Sequence, residues 1–215
     1  MQPSNFLVLG ATGGTGRHFT AKALADGHKV RALVRTPSKL APHAMLDVRE
    51  GSITDSLDVD SLVAGVDRVV VMLGDKRAQR HDTINTAFMQ RLVPAMRRHG
   101  VRRVLYQAGG LSRPHDGHLT PSLWIIRNTL ARSFIGQHRD NEAVMSYLAS
   151  EANDLEWIVH RAGIFSDGPS KGVLERSAKR FSVATFGDCA DYNYRTIFDL
   201  NAVHTADFSA YDRSS

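Results

Sequence analysis

Short apolar runs alternate along the chain with stretches whose apolar residues recur every three or four positions. The runs at 6–9, 29–34, 46–48, 68–73, 103–107 and 156–160 read as strands. Val69-Val70-Val71-Met72-Leu73 is apolar without interruption, as a strand buried on both faces must be. Between these runs, 18–25, 56–63, 83–99 and 141–150 read as helices. In 83–99, Ile84, Phe88, Leu92 and Met96 stand four apart on one face, and Gly100 closes the helix. Asp26-Gly27 and Gly65 stop the two helices before it. Strands alternating with helices predict an α/β fold, a doubly wound parallel sheet with helices on both faces.

Two stretches break this rhythm. Residues 111–137 are punctuated by Pro114, Gly117, Pro121 and Gly136, and hold Trp124, Ile125, Ile126 and Phe134. They follow the fifth strand, on the side where ligands bind in such sheets, and are expected to form a lid or substrate wall. The tail from 181 to 215 has one apolar cluster at 196–200, then residues 202–208 at helical spacing, and is expected to pack back on the sheet. The expected organisation is one domain, 1–215, in which 111–137 and 165–215 supply a small lid and substrate region.

The first strand breaks into Gly10, Gly13 and Gly16, and a helical stretch follows at once. Strand, tight turn and helix N-terminus in that order make a dinucleotide site. The opening helix turns free backbone N–H groups and the positive end of its dipole toward a pyrophosphate. Gly10 makes the turn, Gly13 lets the backbone approach the phosphates, and Gly16 lets the helix pack on the sheet. Thr12, Gly14 and Thr15 complete the loop, so the sheet is expected to be of Rossmann type.

NAD sites place an acid at the end of the second strand for the adenosine ribose. Here Arg35 stands there instead, about twenty residues past the glycine turn, with Ser38 and Lys39 close behind. A guanidinium stacks on adenine and forks onto a 2′-phosphate, so NADP(H) is the expected cofactor. Ser52 and Ile53 are expected beside the adenine, and Leu73-Gly74 where the backbone passes close to the cofactor. Ala108 and Gly109, after the fifth strand, are expected to floor the reaction site. Asp75 reads either as a ribose contact or as a cap of the segment after it.

Composition narrows the setting. Hydrophobic content of 42% and charged content of 23% in 215 residues are those of an ordinary soluble domain. No run approaches eighteen apolar residues, and the start lacks a basic signal region, so neither membrane span nor signal peptide is expected. The single Cys189 cannot form an intramolecular disulfide, which suits a cytoplasmic location. The net charge of +5 is scattered, with small clusters at Arg97-Arg98 and Arg102-Arg103 and no one long run. That is a solvated basic surface suited to an anionic cofactor, not a nucleic-acid site. No metal is expected.

These residues resemble a known family. Gly-Ala-Thr-Gly-Gly-Thr-Gly-Arg (10–17), Arg-Ala-Leu-Val-Arg-Thr-Pro-Ser-Lys (31–39), Val-Val-Val-Met-Leu-Gly (69–74) and Gly-Val-Arg-Arg-Val (100–104) look like the atypical short-chain dehydrogenases/reductases. Within them the match is to the NmrA-like and flavin-reductase (biliverdin-reductase-B-like) branch. Asp-Leu-Glu-Trp-Ile-Val-His-Arg-Ala-Gly (154–163) is similar to that branch's segment at the sixth strand. The resemblance covers the chain to about residue 200 and implies a Rossmann fold, NADP and a small C-terminal substrate region.

The departures bear on the chemistry. Typical short-chain dehydrogenases carry a serine after the fifth strand and a Tyr-x-x-x-Lys pair one helix later. Here the strand ends Tyr106-Gln107-Ala108-Gly109-Gly110, the next serine is Ser112, and no Tyr-x-x-x-Lys occurs. His138 stands where the next helix begins and is the best-placed proton donor, with Tyr106 the second candidate. Flavin reduction tolerates these losses, because positioning two flat rings at about 3–3.5 Å supplies most of the acceleration. The expected function is an NADPH-dependent reductase of a flat conjugated acceptor: a flavin, quinone or tetrapyrrole-like molecule. Trp124, Tyr106 and Phe165 suit its slot. A non-catalytic NADP(H)-binding redox sensor of NmrA type is the alternative, and a tailoring reductase or isomerase a third. The small-molecule acceptor is the expected partner, with the chain a monomer or weak homodimer.

Overall fold

The structure, a computed structural model, describes residues 2–212, the side chains of Ile164 and Phe165 excepted. In chain order its elements are β1 (Asn5–Leu9), α1 (Gly14–Ala25), β2 (Lys29–Val34), β3 (Leu46–Glu50), α2 (Val59–Val63), β4 (Arg68–Val71), α3 (Ile84–Arg98) and β5 (Arg103–Gly109). Then follow α4 (Pro121–Asn128), α5 (Ile135–Glu151), β6 (Glu156–Ala162), β7 (Ile164–Ser166), β8 (Leu174–Ser177), β9 (Ala184–Thr185), α6 (Phe186–Thr196) and β10 (Thr205–Tyr211). One eight-stranded sheet has the order β3-β2-β1-β4-β5-β6-β10-β8, and β7 with β9 forms a short second sheet. Every neighbour in the large sheet is parallel except β8, which runs antiparallel along β10. The chain has an α/β fold of Rossmann type.

Alternate residues of a strand face opposite sides, so a strand covered on both must be apolar throughout. Leu7 and Leu9 join Phe88, Leu92, Met96 and Leu148 in the core under α3 and α5. Phe6 and Val8 join Phe19, Tyr194 and Ile197 under α1 and α6. The strand order reverses between β1 and β4, and there a crevice opens beyond the carboxyl ends of the strands.

Several elements differ from their sequence-based bounds. β5 continues through Ala108 and Gly109, because backbone pairing with Arg161 and Ala162 overrides the low strand preference of glycine. α5 begins six residues earlier than 141, at Ile135. Gly136 allows this, since a β-carbon there would stand 2.1 Å from the Gln79 carbonyl oxygen. His138 therefore lies inside α5 and not at its start. Residues 202–208 are not a helix. Thr205–Tyr211 is a strand that lies parallel to β6, with Phe208 opposite Arg161, and a helix unforeseen in sequence precedes it at Phe186–Thr196. Sheet pairing decides between the two periods for so short a segment.

Candidate functional site

The glycine turn has the geometry its sequence implies. Gly10 takes φ +91°, and a β-carbon on it would meet the Met72 carbonyl oxygen at 2.3 Å. Gly16 abuts Gly10, where a β-carbon would come 1.9 Å from the Gly10 oxygen. Gly13 is exposed, and the nearest atom to a β-carbon there is the Gly10 oxygen at 3.2 Å. The N-terminus of α1 has no side-chain cap and no acid in its first turn. Its N–H groups stay free for an anion.

Gly10, Thr12, Gly13, Arg35, Ser52, Ile53, Leu73 and Gly74 line one cleft of about 290 Å³ over the carboxyl ends of β1, β2 and β4. Asp75 and Asn85 line it as well. A larger depression of about 740 Å³ lies at the opposite edge of the sheet, between Ser4, Arg68, Arg103 and Glu156. Ligands of such sheets bind beyond the carboxyl ends, and the glycine loop is there. Ser38 and Lys39 are exposed on a helical turn past Arg35 and do not line the cleft. Gly14 lies under the ring of Phe186. Thr15 is buried and accepts a hydrogen bond from the Gln107 amide at 3.3 Å.

The cleft fits a dinucleotide on two counts besides the loop. Asn85 is 1% exposed, and its Nδ2 donates to the Tyr106 hydroxyl at 2.9 Å and to the Leu73 carbonyl at 3.4 Å. Both partners accept at Nδ2, which fixes the amide's orientation and leaves Oδ1 buried without a donor among the described residues. A ribose hydroxyl is such a donor. Second, Leu73-Gly74 runs bare along the cleft, closed on its other side by Gln137 of α5, 2.5 Å from a β-carbon on Gly74.

Tyr106 is wholly buried, and burial raises its hydroxyl pKa. The hydroxyl donates to Asn141 Oδ1 at 2.6 Å, and Asn141 Nδ2 donates to Ser112 Oγ at 3.3 Å. Asn85, Tyr106, Asn141 and Ser112 thus form one polar chain from the cleft to the loop after β5. Asp140 anchors it. Its buried carboxylate accepts from Asn85 N and Thr86 N, both at 3.0 Å, and from Gln79 Nε2 at 2.8 Å. It caps α3 from α5, a role the sequence reading missed because capping residues are sought beside the helix they cap.

His138 stands beside the end of β5 and, like Ala108 and Gly109, is not among the residues that line this cleft. Its Nδ1 lies 3.7 Å from the place of a β-carbon on Gly109, at the end of β5 beside buried Ala108. The residue is 6% exposed, and among the described residues neither ring nitrogen has a hydrogen-bond partner. Burial, then the Arg127 guanidinium, push its pKa down to about 4, against the opposing pull of Glu142. Glu142 pairs with buried Arg127 and with Arg113 at 3.2 Å. Burial works to raise the Glu142 pKa, and these arginines outweigh it. Trp124 is 58% exposed on α4, the helix that carries Arg127. Phe165 lies outside the described side chains.

No group of three or more His, Cys, Asp or Glu among the described residues is placed to hold a metal. No helix there is long and apolar enough to cross a membrane.

Comparison with known proteins agrees with this architecture. The chain is 33% identical over 113 residues to a 3-beta-hydroxysteroid dehydrogenase of Mycolicibacterium neoaurum, covering 47% of this chain and 31% of that protein. It is 32% identical over 136 residues to the isoflavone reductase homolog IRL of Zea mays, covering 58% and 41%. The match thus spans less than half the length of these relatives. Among solved structures, the oxidoreductase ylbE of Lactococcus lactis superposes with a TM-score of 0.78 at 12% identity, over 98% of this chain and 92% of that one. ChuY of Escherichia coli O157:H7, described as an anaerobillin reductase, superposes with a TM-score of 0.76 at 17% identity over 99% of each. The NAD(P)H-binding family model matches residues 10–186, and this chain belongs to that NAD(P)H-binding family.

Proposed function

We propose that the chain is an NADPH-dependent reductase of a flat conjugated acceptor, a flavin, quinone or tetrapyrrole-like molecule. The observation that carries this reading is His138, buried beside Gly109 with two unpartnered ring nitrogens and no Tyr-x-x-x-Lys pair in the sequence. When bound, the cofactor supplies hydride. The protein supplies position. Gly10, Gly13 and the start of α1 hold the pyrophosphate, Arg35 the 2′-phosphate, and Asn85 a ribose hydroxyl. Ala108 and Gly109 present a nearly side-chain-free floor to the reacting rings.

With a pKa near 4, His138 is neutral at neutral pH. It donates one N–H to a carbonyl or ring nitrogen of the acceptor and orients it, while the proton that balances hydride addition comes from solvent. Tyr106, locked between Asn85 and Asn141, is a positioning residue that holds the floor and the Ser112 loop. Residues 111–137, with exposed Trp124, form the acceptor wall, and 166–212 complete it, while 213–215 lie outside the described residues. The resemblance to a chain described as an anaerobillin reductase suits an extended conjugated acceptor. We place the protein in the cytoplasm, as a monomer or weak homodimer.

Incubation with NADPH and a panel of flavins, quinones and biliverdin, followed by loss of NADPH absorbance, tests the proposal. Turnover with at least one flat acceptor is expected. No turnover with any of them, together with a partner protein that distinguishes NADP from NADPH, would overturn it in favour of a redox sensor.

A further inference from the structure

An ion pair crosses the adenine end of the cleft. Arg35 follows β2, Asp75 lies four residues beyond β4, and the two meet at 3.3 Å. β1 lies between β2 and β4, so the pair spans the carboxyl end of β1 above the glycine turn. Its halves differ in freedom. Asp75 Oδ1 accepts from the backbone N–H groups of Arg77 and Ala78, both at 3.1 Å. Its own N–H donates to Gln79 Oε1 at 2.9 Å, and the Gln79 amide donates to buried Asp140 at 2.8 Å. The Arg35 side chain is 74% exposed and touches no charged group but Asp75 among the described residues. The carboxylate is fixed and the guanidinium is free to swing.

We propose that Asp75 limits the NADP preference of this chain, as the fixed counter-charge from which a 2′-phosphate must take Arg35. A dianionic phosphate needs the N–H groups that Asp75 holds, and after Arg35 has turned to it the carboxylate stays behind and repels it. A 2′-hydroxyl meets neither conflict. It leaves the ion pair intact and donates to the outer Asp75 oxygen, which does from the far side of β1 what an acid at the end of β2 does in an NAD site. Asp75 thereby narrows the advantage that Arg35 gives NADP. The notch at this end of the cleft is tuned between the two cofactors, with Arg35 pulling one way and Asp75 the other.

This inference rests on Arg35 as the phosphate ligand, and titration calorimetry of NADP and NAD separates the two. Asp75→Asn removes the charge and keeps the oxygen that caps Arg77 and Ala78. Asp75→Ser keeps a capping oxygen as well. Both variants are expected to raise the ratio of NADP to NAD affinity by about fivefold or more. Arg35→Ala is expected to lower that ratio. If the Asp75 variants leave it within about twofold of wild type, or lower it, while Arg35→Ala still lowers it, the inference falls and the phosphate ligand stands. A ratio insensitive to Arg35→Ala removes the ligand and the inference together.

Discussion

Gly16 packs so closely on Gly10 that a β-carbon on it would stand 1.9 Å from the Gly10 carbonyl oxygen, whereas at Gly13 the same oxygen would be 3.2 Å away. The two glycines therefore serve different ends, one for packing and one for approach. Gly13→Val is expected to abolish cofactor binding while keeping a cooperative melt. Gly16→Val is expected to lose the cooperative melt, because α1 cannot dock on the sheet. Thermal melts paired with NADPH titration check this, and a Gly13→Val protein that binds NADPH as wild type does would contradict the phosphate-cradle assignment.

Cofactor choice follows from Arg35 at the mouth of the cleft. Wild-type protein is expected to bind NADP(H) at least about tenfold tighter than NAD(H), about 1.4 kcal/mol. Arg35→Ala should erase most of that difference, since the charge-assisted contact to the 2′-phosphate is gone. Equal wild-type affinities in a calorimetric titration would refute it.

Neutral His138 gives a kinetic signature. His138→Ala is expected to slow acceptor turnover by less than about tenfold, the loss of one hydrogen bond. With its pKa near 4, the wild-type rate should be nearly flat between about pH 6 and 8, where an unperturbed histidine titrates. A drop of about a hundredfold with unchanged cofactor affinity would mark a general acid instead.

The same group affects stability in acid. Folding holds His138 and His160 near pKa 4, against 6.5 for an unperturbed histidine. Between these values the unfolded chain binds more protons than the native one, so stability falls as pH falls, by about 1.4 kcal/mol per pH unit for each histidine. Above pH 6.5 neither contributes. His138→Gln, which breaks no hydrogen bond of the ring, should remove one such proton, and urea melts between about pH 6 and 4.5 should show a shallower decline. Parallel declines in variant and wild type would count against a buried neutral His138.

Trp124 reports on the acceptor wall. Its indole is 58% exposed, so an acceptor analogue such as lumichrome, added to the NADP complex, should shift its fluorescence. Trp124→Ala is expected to raise the acceptor KM and leave NADP affinity alone, since a wall residue contributes acceptor binding only. An unchanged KM and a silent indole would remove α4 from the site.

The sequence by itself determined what is local or periodic. Runs such as Val69–Val71 have to be buried strands because they are apolar on both faces, and Gly10, Gly13 and Gly16 announce a turn into a helix. From these the α/β class, the positions of the first six strands along the chain and the phosphate loop were legible. The tertiary structure decided what depends on partners far along the chain. Residues 202–208 carry a helical spacing, yet pairing with β6 made a strand of their second half. Asp140 caps a helix that begins 56 residues before it, and Asn85 meets Tyr106 across 21 residues. Arg35 and Asp75, 40 residues apart, become one ion pair only because β1 is inserted between their strands. Side-chain hydrogen bonds of this kind leave no period in the sequence. They exist only once backbone pairing and burial of the two cores have brought their elements together.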